Sequence, residues 1–310
     1  MRIIAFANQK GGVGKTTSTV NLAAALARQN KHVLLIDLDP QAHLTTFFGI
    51  NPHEIAFSSH DLLVHEKSLQ EVQIPVRENM HVLASGIDLA SAEQELVSVV
   101  GRETVLRDAI EAYPEPCDYI FIDCPPSLGL LTLNAFGAAR EVFIPIQPHF
   151  LSLQGLSQLL EMLTIVNKRI NSLLRVSGLL FCMYDSRTSL SGEIVNDIET
   201  FFHEHREVDC PWKDIHLFKT RIRRNVKLAE SPSHGQTIFE YEIHCHGAED
   251  YLSLAREVMA MVDPASPIAT VMEPEPNRNS EVLLSNAKQI REIPVPGSPA
   301  PQPSVNEVAD

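Results

Sequence analysis

The sequence of 310 residues lacks the features that define several large classes of protein. Its five cysteines form no C-x-x-C pair, which argues against a disulfide framework and against a paired-thiolate metal site. No stretch approaches the ~20 consecutive apolar residues that a membrane-spanning helix needs. The apolar run at the start of the chain is too short for a signal peptide. We therefore expect the protein to work in a reducing cytoplasm.

Positive charge is also scarce in this chain. It has 25 Lys and Arg against 39 Asp and Glu, a formal net charge of −14. Because neutralising phosphates requires Lys and Arg, this balance argues against nucleic-acid binding by bulk charge. Residues 213–227 depart from the average, since six basic residues stand there against the single acid Asp214, a local charge of +5. Taken alone, such a run favours a solvated surface over a binding site.

Aromatic residues are absent from residues 264–310, which also hold 9 of the 20 prolines. A segment of this composition has no face that could pack, so burial cannot offset the entropy lost on ordering. We therefore divide the chain into a globular domain, residues 1–262, and a proline-rich disordered tail, residues 263–310. Residues 281–293 could form a short amphipathic helix within this tail.

Within the globular domain, short β-rich runs alternate with helical patterns, and several of the runs are apolar throughout. Such alternation predicts an α/β fold, in which helices cover both faces of a mostly parallel twisted sheet. The predicted strands are Arg2–Ala7, Val33–Asp37, His81–Ala84, Tyr119–Asp123, Val142–Ile146 and Gly178–Met183. The predicted helices are Lys15–Gln29, Asp88–Val100, Arg102–Glu111, Leu130–Ala138, Ser152–Ile170, Ser191–His205 and Glu249–Met261.

The strongest motif is the glycine-rich segment Gln9–Thr17, between the first predicted strand and the first predicted helix. Its glycines let the backbone approach phosphates closely, and the helix N-terminus adds partial positive charge. Lys15 would reach the β- and γ-phosphates of a nucleotide, and the Thr16 hydroxyl would bind Mg²⁺. The segment departs from the G-x-x-x-x-G-K-[ST] pattern because Gln9 replaces the first glycine, and a second lysine, Lys10, follows.

Three aspartates stand at the ends of predicted strands, where a parallel sheet binds its ligands. Asp123 ends an apolar strand, the usual setting for a carboxylate that holds Mg²⁺ through water. Asp37 and Asp39 come at the end of the second strand, and Asp37 could support the metal shell. Strand-end aspartates also serve as caps of turns and helices. Their convergence on one glycine-rich loop favours a nucleotide site.

The second lysine is the deviant form of the phosphate loop found in the ParA/MinD group of dimeric ATPases. Further segments resemble, in the same order, the ParA (Soj-like) family of chromosome and plasmid partition ATPases. The resemblance covers residues 1–262 and implies a ParA-type ATPase domain of the P-loop NTPase type, with ATP and Mg²⁺ as cofactors. The segments that carry it are Leu35–Gln41, Ile120–Gly129, Met183–Thr188 and Arg224–Gly235.

The resemblance implies roles for individual residues. In an ATP-dependent homodimer, Lys10 of each subunit would reach the phosphates of the other and stabilise the charge that develops there. Lys10, Lys15 and Asp39 would be the catalytic residues, Asp39 by orienting the attacking water. Thr16 and Asp123 would hold Mg²⁺. The nucleotide would contact Lys10, Gly11, Gly12, Val13, Gly14, Lys15, Thr16, Thr17 and, at the adenine base, Asn225.

The chain departs from the family pattern at two places. Ile222–Asn225 reads Ile-Arg-Arg-Asn where the family usually has Ile-Pro-Arg-Asn, so that Arg223 replaces a proline close to the residue expected at the base. Gln41–His43 reads Gln-Ala-His where relatives commonly have Gln-Gly-Asn. The first departure bears on the base pocket. The second lies in the loop after the second predicted strand, where Leu35–Gln41 resembles the first switch of the family.

The resemblance also changes the interpretation of the basic segment. The family carries a residue for sequence-independent DNA binding in the segment that contains Arg187 here. Arg187, Arg221 and Arg224 are therefore candidates for contacts with the DNA backbone, and Arg223 is a possible addition peculiar to this chain. Such contacts carry no sequence information and depend strongly on salt.

These features predict an ATPase that dimerises on ATP, binds double-stranded DNA non-specifically and partitions chromosome or plasmid DNA with a ParB-type partner. It would be cytoplasmic and associated with the nucleoid. The alternative is a MinD-like ATPase at the membrane surface, anchored by residues 281–293. Three basic against seven acidic residues from Asp263 onward make that tail a poor match to anionic membrane. A metal-cluster carrier is disfavoured by the missing C-x-x-C, and a small-molecule ligase by the lack of a substrate signature.

Overall fold

The computed structural model describes residues 1–149 and 151–261. One sheet contains the strands β1 (Arg2–Phe6), β2 (Val33–Asp37), β3 (Gln73–Arg77), β4 (Met80–Leu83), β5 (Tyr119–Asp123), β6 (Glu141–Ile146), β7 (Arg175–Phe181) and β8 (His216–Leu217). The helices are α1 (Lys15–Ala27), α2 (His43–Phe47), α3 (Ser59–Val64), α4 (Leu69–Val72), α5 (Leu89–Glu95), α6 (Val105–Glu111), α7 (Leu130–Ala138), α8 (Leu151–Arg169), α9 (Ser189–Glu204), α10 (Val226–Glu230), α11 (Ile238–Tyr241) and α12 (His246–Ala260).

The strands follow the order β3-β4-β2-β5-β1-β6-β7-β8, and each neighbouring pair is parallel except β3 with β4. The registers place Asp123 of β5 opposite Phe6 of β1 on one side and opposite Asp37 of β2 on the other. The carboxyl ends of the three central strands are therefore level. Because ligands bind at this edge of a parallel sheet, the register positions the functional site.

The core lies on both faces of the sheet, because successive side chains of a strand point to opposite faces. On β1, Ile3 and Ala5 pack with apolar residues of α3 to α9. The alternate residues Ile4 and Phe6 pack with α1, α2 and α10 to α12. All five residues of β1 are buried, and four of them are apolar; the fifth, Arg2, is paired with Glu141 of β6. The predicted α/β fold with helices on both faces is confirmed.

The structure differs from the predicted elements mainly at the edge of the sheet and in short helices. The sequence does not predict β3, because this strand contains Pro75, which lacks a backbone N–H. The proline is tolerated because β3 lies at the edge of the sheet. The predicted helix Asp88–Val100 is shorter, since α5 ends at Glu95 and a 3-10 turn, Leu96–Ser98, follows. Helices of four to six residues, such as α2 and α4, are too short to give a periodic pattern.

The predicted tail, residues 263–310, with its candidate helix at 281–293, lies outside the described residues. Within the part of the chain that is described, no helix has both the length and the apolar character needed to cross a membrane.

Two glycines show how tightly the sheet packs compared with the surface. A Cβ atom added to Gly178 in β7 would lie 2.5 Å from a ring carbon of Phe218 and 2.8 Å from one of Phe143. Both rings are buried and meet edge to face, with centroids 5.1 Å apart. Neither ring can move without disturbing the core. A Cβ atom added to Gly192 in α9 meets no described atom within 4 Å.

We expect Gly178→Ala to lower the free energy of unfolding by about 1–3 kcal/mol, because the added methyl group overpacks the core. The matched variant Gly192→Ala should raise it by up to about 1 kcal/mol, because alanine favours the helical backbone over glycine. Urea denaturation of both variants beside the wild type measures the two changes. A Gly178→Ala protein as stable as the wild type would contradict the packing described for β7.

Candidate functional site

The segment between β1 and α1 forms a phosphate loop. Gly12 and Gly14 have positive φ angles of 71° and 96°, which only glycine adopts readily. Gly14 precedes α1, and among the described residues no side chain caps its first N–H groups. An added Cβ at Gly11 or Gly12 would meet no described atom within 4 Å, so the backbone there is open to a ligand. Unpaired N–H groups at an open helix N-terminus form an anion-binding site.

The two lysines of the loop lie in different directions. Lys15 is the first residue of α1 and is buried, and its Nζ lies 3.4 Å from the carbonyl oxygen of Lys10. The backbone N–H of Lys10 donates to Asn8 Oδ1, at 3.0 Å. The Nζ of Lys10 lies 2.6 Å from Nε2 of His149, in the loop after β6. Lys15 therefore faces the phosphate loop itself, whereas Lys10 faces the neighbouring strand end.

The predicted magnesium ligands Thr16 and Asp123 are in contact. The Thr16 hydroxyl donates to Asp123 Oδ2 at 2.6 Å. Burial, with a smaller effect of the nearby Asp37 carboxylate, raises the pKa of Asp123 to about 8, and the hydrogen bond from Thr16 opposes this change. A buried carboxylate of this kind is stabilised by a cation placed against it. The pair has the oxygen ligands that Mg²⁺ prefers.

Asp37 fastens the first switch loop to the sheet. Its Oδ2 accepts hydrogen bonds from the backbone N–H and the hydroxyl of Thr45 in α2, at 2.9 and 2.7 Å. Its Oδ1 accepts from the N–H of Asp39, at 3.1 Å. Complete burial raises the pKa of Asp37 to about 7, although the bonds from Thr45 lower it. Both oxygens of Asp37 are thus used to hold the loop.

Asp39, the predicted water-orienting residue, lies at the start of this loop. Its Oδ1 accepts the N–H of Gln41 at 2.9 Å, and its carbonyl oxygen accepts the hydroxyl of Ser85 at 2.9 Å. Ala42 has a φ of 52°, in the left-handed region that favours glycine. An alanine in this left-handed region costs about 1–2 kcal/mol. The loop therefore adopts a backbone conformation that favours glycine, and the alanine at position 42 makes this conformation energetically less favourable.

The segment Ile120–Gly129, which resembles the Walker B and second switch of the family, continues past Asp123 and is held by contacts at the start of α7; we call it the second switch segment. The hydroxyl of Thr132 donates to the carbonyl oxygen of Ser127, at 2.6 Å. Glu93 of α5 accepts the N–H of Leu131 through Oε1, at 3.2 Å. The side chain of Glu93 fills the space beside Gly129, where an added Cβ would collide with it. The residues that follow Asp123 are therefore linked to α5.

The structure brings the predicted DNA-binding residues Arg187, Arg221 and Arg224 together around Tyr184 and Asp185. The Arg221 guanidinium lies 4.6 Å from the centre of the Tyr184 ring. The N–H of Arg224 donates to the carbonyl oxygen of Tyr184, at 3.2 Å. Arg187, whose side chain is 86% exposed, binds both oxygens of Asp185 and lowers the pKa of that carboxyl to about 2.

Arg223 and Asn225 are engaged elsewhere. The guanidinium of Arg223 donates to both oxygens of Asp250 in α12 and also reaches Glu249. The Arg223 guanidinium is thus bonded to acidic side chains of α12 while its side chain stays 42% exposed, and its backbone N–H adds a further bond to Asp250. Asn225 caps α10 by accepting the N–H of Lys227, at 2.8 Å. Among the described residues it makes no hydrogen bond to the phosphate loop, so its contact with an adenine base stays a prediction.

Sequence reasoning missed His149, which contacts Lys10, and Glu93, which holds the second switch segment. His149 follows the predicted strand Val142–Ile146, so the rule that strand ends carry ligand-binding residues could have found it. Glu93 gave no such signal, because its contact joins helices that are 38 residues apart in sequence.

The parallel sheet, the phosphate loop before α1 and the carboxylates at the neighbouring strand ends define a P-loop NTPase. The family model described as an AAA domain matches residues 1–176. The chain is 44% identical over 260 residues to the sporulation initiation inhibitor protein Soj of Bacillus subtilis (strain 168), covering 84% of this chain and 98% of that protein. It is 41% identical over 261 residues to the chromosome-partitioning ATPase Soj of Treponema pallidum (strain Nichols), with coverage of 84% and 97%.

A solved structure agrees with this class. It is the cobyrinic acid a,c-diamide synthase of Mycobacterium smegmatis with bound ATP analogue and magnesium, with a TM-score of 0.70 and 34% identity. The match covers 84% of this chain and 94% of that one.

The chain belongs to the ParA (Soj-like) family of P-loop ATPases. It is an ATPase, and its cofactors are ATP and Mg²⁺. The residues present fit them: the glycine backbone is open, Lys15 lies inside the loop, and Thr16 and Asp123 offer adjacent oxygens. The chemistry that bound Mg²⁺ supplies in such sites is neutralisation of charge on the phosphate oxygens.

We expect Thr16→Ala to weaken ATP binding in the presence of Mg²⁺ by about tenfold, because one oxygen ligand is lost. Binding without Mg²⁺ should change little, since the backbone of the loop is unaltered. Titration of a fluorescent ATP analogue with and without Mg²⁺ separates the two effects. Thr104→Ala, which removes a hydroxyl at the start of α6, is the control. The same response to Mg²⁺ in the Thr16→Ala protein as in the wild type would contradict the assignment.

Proposed function

We propose that this ATPase dimerises on ATP, binds double-stranded DNA non-specifically and partitions chromosome or plasmid DNA with a ParB-type partner. It would act in the cytoplasm, on the nucleoid. The observation that carries the proposal is the cluster of Arg187, Arg221 and Arg224 around Tyr184 and Asp185. The name of the Treponema pallidum relative, a chromosome-partitioning ATPase, supports the same role.

The arginine cluster suits a phosphate backbone. Arg187 is bonded to Asp185 at the protein surface, and exposed ion pairs of this kind contribute little to stability, so a phosphate can replace the carboxylate at small cost. Thr188, the next residue, is the N-cap of α9, a helix of 16 residues. The positive end of that helix dipole adds to the attraction for phosphate. Neither feature distinguishes one base from another, which agrees with DNA binding that does not depend on the DNA sequence.

A short path of contacts joins the arginine cluster to the phosphate loop. Cys182, two residues before Tyr184, is buried and lies 3.6 Å from the hydroxyl of Ser18 in α1. Its side chain also lies 3.5 Å from the position of a Cβ on Gly14. We infer that a change at the phosphate loop on nucleotide binding would reach the end of β7 through these contacts. This path supports DNA binding that depends on ATP.

The acidity of the rest of the protein fits a switch rather than a constitutive DNA-binding protein. A net charge of −14 repels DNA over much of the surface, so one small cluster binds weakly. A dimer presents two clusters to one DNA molecule, and linking two weak sites raises the overall affinity strongly. Dimerisation on ATP would in this way control DNA binding, and hydrolysis stimulated by the partner would reverse it.

The membrane-surface alternative rests on residues 281–293, which lie outside the described residues. The two relatives are named for sporulation and for chromosome partitioning. The partition role is therefore the function that we propose.

We expect the double variant Arg187→Ala/Arg224→Ala to bind non-specific DNA more weakly, and the slope of log affinity against log salt to fall by about two for each subunit. Both changes are expected because the variant loses the contacts of Arg187 and Arg224 with DNA phosphates. Filter binding with ATP at two salt concentrations measures it, and Arg28→Ala/Arg107→Ala, which removes equal charge elsewhere, is the control. Undiminished binding by the first variant at low salt, or wild-type binding that ignores ATP, would refute the proposed DNA site.

We expect Lys10→Ala to bind ATP but to lose hydrolysis, by on the order of a thousandfold, because the cation that stabilises the transferred phosphoryl group from the other subunit is missing. Nucleotide binding and phosphate release, each measured with DNA present, distinguish the two properties. Lys31→Ala, which removes a lysine from an exposed ion pair, is the control. Hydrolysis at the wild-type rate by a monomeric Lys10→Ala protein would exclude a role for this lysine between subunits.

A further inference from the structure

The side chain of Lys10 is held within its own subunit by His149. The lysine Nζ lies 2.6 Å from Nε2 of the imidazole, which is half-buried in the loop between β6 and α8. The loop that carries Lys10 is itself fixed against β6, because the Asn8 amide donates to the carbonyl oxygen of Pro145 at 2.8 Å. The two partners are 139 residues apart in sequence and meet because β1 and β6 are neighbours in the sheet.

The contact requires a neutral imidazole. A lysine ammonium only donates hydrogen bonds, so Nε2 must be the acceptor, and the ring proton must then be on Nδ1. The Nδ1 atom lies 3.3 Å from the hydroxyl of Ser152, which can accept that proton's hydrogen bond. Gln147 Oε1 lies 3.0 Å from Nε2 and can only accept, so it favours a proton on Nε2, whereas the contact with Lys10 requires the ring proton on Nδ1. Lys10 and Gln147 therefore compete for Nε2 while the ring is neutral.

Protonation of His149 would place two positive charges against each other. Among the described residues, the charged group that contacts the imidazole is Lys10, from the phosphate loop, whereas Gln147 from its own loop and Ser152 from α8 are uncharged. Burial, and secondly the charge of Lys10, lower the pKa of His149. A proton on the ring removes the acceptor and turns an attraction into a repulsion.

We propose that His149 is the positioning residue for Lys10: its neutral ring holds the lysine on its own subunit, and protonation of the ring releases it. The inference rests on the proposed function, in which Lys10 acts on the ATP of a second subunit. To reach that nucleotide, Lys10 must first leave His149. The contact therefore opposes dimerisation, and low pH, which breaks it, favours dimerisation.

The first experiment tests the contact without any nucleotide. The pKa of His149 is measured by NMR titration of the ¹⁵N-histidine-labelled protein, in which the signal lost in His149→Phe identifies the residue. We expect Lys10→Gln to shift this pKa upward, because a neighbouring positive charge is removed, and Lys31→Gln to leave it unchanged. An identical pKa for His149 in the wild type and in Lys10→Gln would overturn the proposal.

The second experiment measures ATP-dependent dimerisation by sedimentation between pH 5 and pH 8, with a non-hydrolysable ATP analogue. We expect His149→Phe to dimerise about fivefold more tightly than the wild type at pH 8, because a hydrogen bond from a charged donor no longer has to be broken. His149→Glu should dimerise more weakly, since a carboxylate holds the lysine by an ion pair. Neither variant should show the pH dependence that the wild type shows.

Controls separate this effect from general changes in the protein. His53→Gln, which replaces an exposed histidine in the loop before α3, should keep the wild-type pH profile. In a Lys10→Gln background, replacing His149 should have no effect on dimerisation. Changes of the same sign in His149→Phe and His149→Glu, or no change in either, would overturn the positioning role. If the wild type fails to dimerise with ATP, the proposed function fails, while the NMR titration still decides whether His149 holds Lys10.

Discussion

The functional site depends on the parallel register of β2, β5 and β1, which sets two carboxylates beside the phosphate loop. Asp37 and Asp123 are directly opposite each other at the ends of their strands, and both are fully buried. Burial raises the pKa of both carboxyl groups, which means that their charged forms are unfavourable there. A positive charge placed beside them would stabilise the carboxylates. The charge of Lys15 lowers the pKa of Asp123, and the Thr16 hydroxyl donates a hydrogen bond to the same carboxylate. Every other part of the site is arranged around this pair.

Asp37 and Asp123 have different roles because their hydrogen-bond partners differ. Asp37 uses both oxygens on Thr45 and Asp39, which fixes the first switch loop to the sheet. Asp123 receives its short bond from a hydroxyl of the phosphate loop. One carboxylate therefore supports the fold of the site, and the other faces the ligand. The same edge of the sheet continues to β6 and β7, whose ends carry His149 and the arginine cluster.

The sequence was sufficient to predict the fold class and the phosphate loop, since both depend on local patterns. Most residues of the buried parallel strands are apolar, and Gly12 and Gly14 of the loop adopt the positive φ angles that only glycine tolerates readily. The edge strand β3 was not predictable, because Pro75 is unfavourable in a strand unless the neighbouring position is solvent. The short helices were missed because four to six residues give no period.

The sequence by itself determined which residues can do chemistry: two lysines, a threonine and three aspartates at the ends of strands. Only the tertiary structure decided what each of them faces. Arg187 and Arg223 look alike in the sequence, yet Arg187 pairs with Asp185 in its own segment while Arg223 pairs with Asp250 of α12. Lys10 is paired with a histidine 139 residues away. Such pairs are set by the order of strands in the sheet, and that order is fixed by packing across the whole domain rather than by any local pattern.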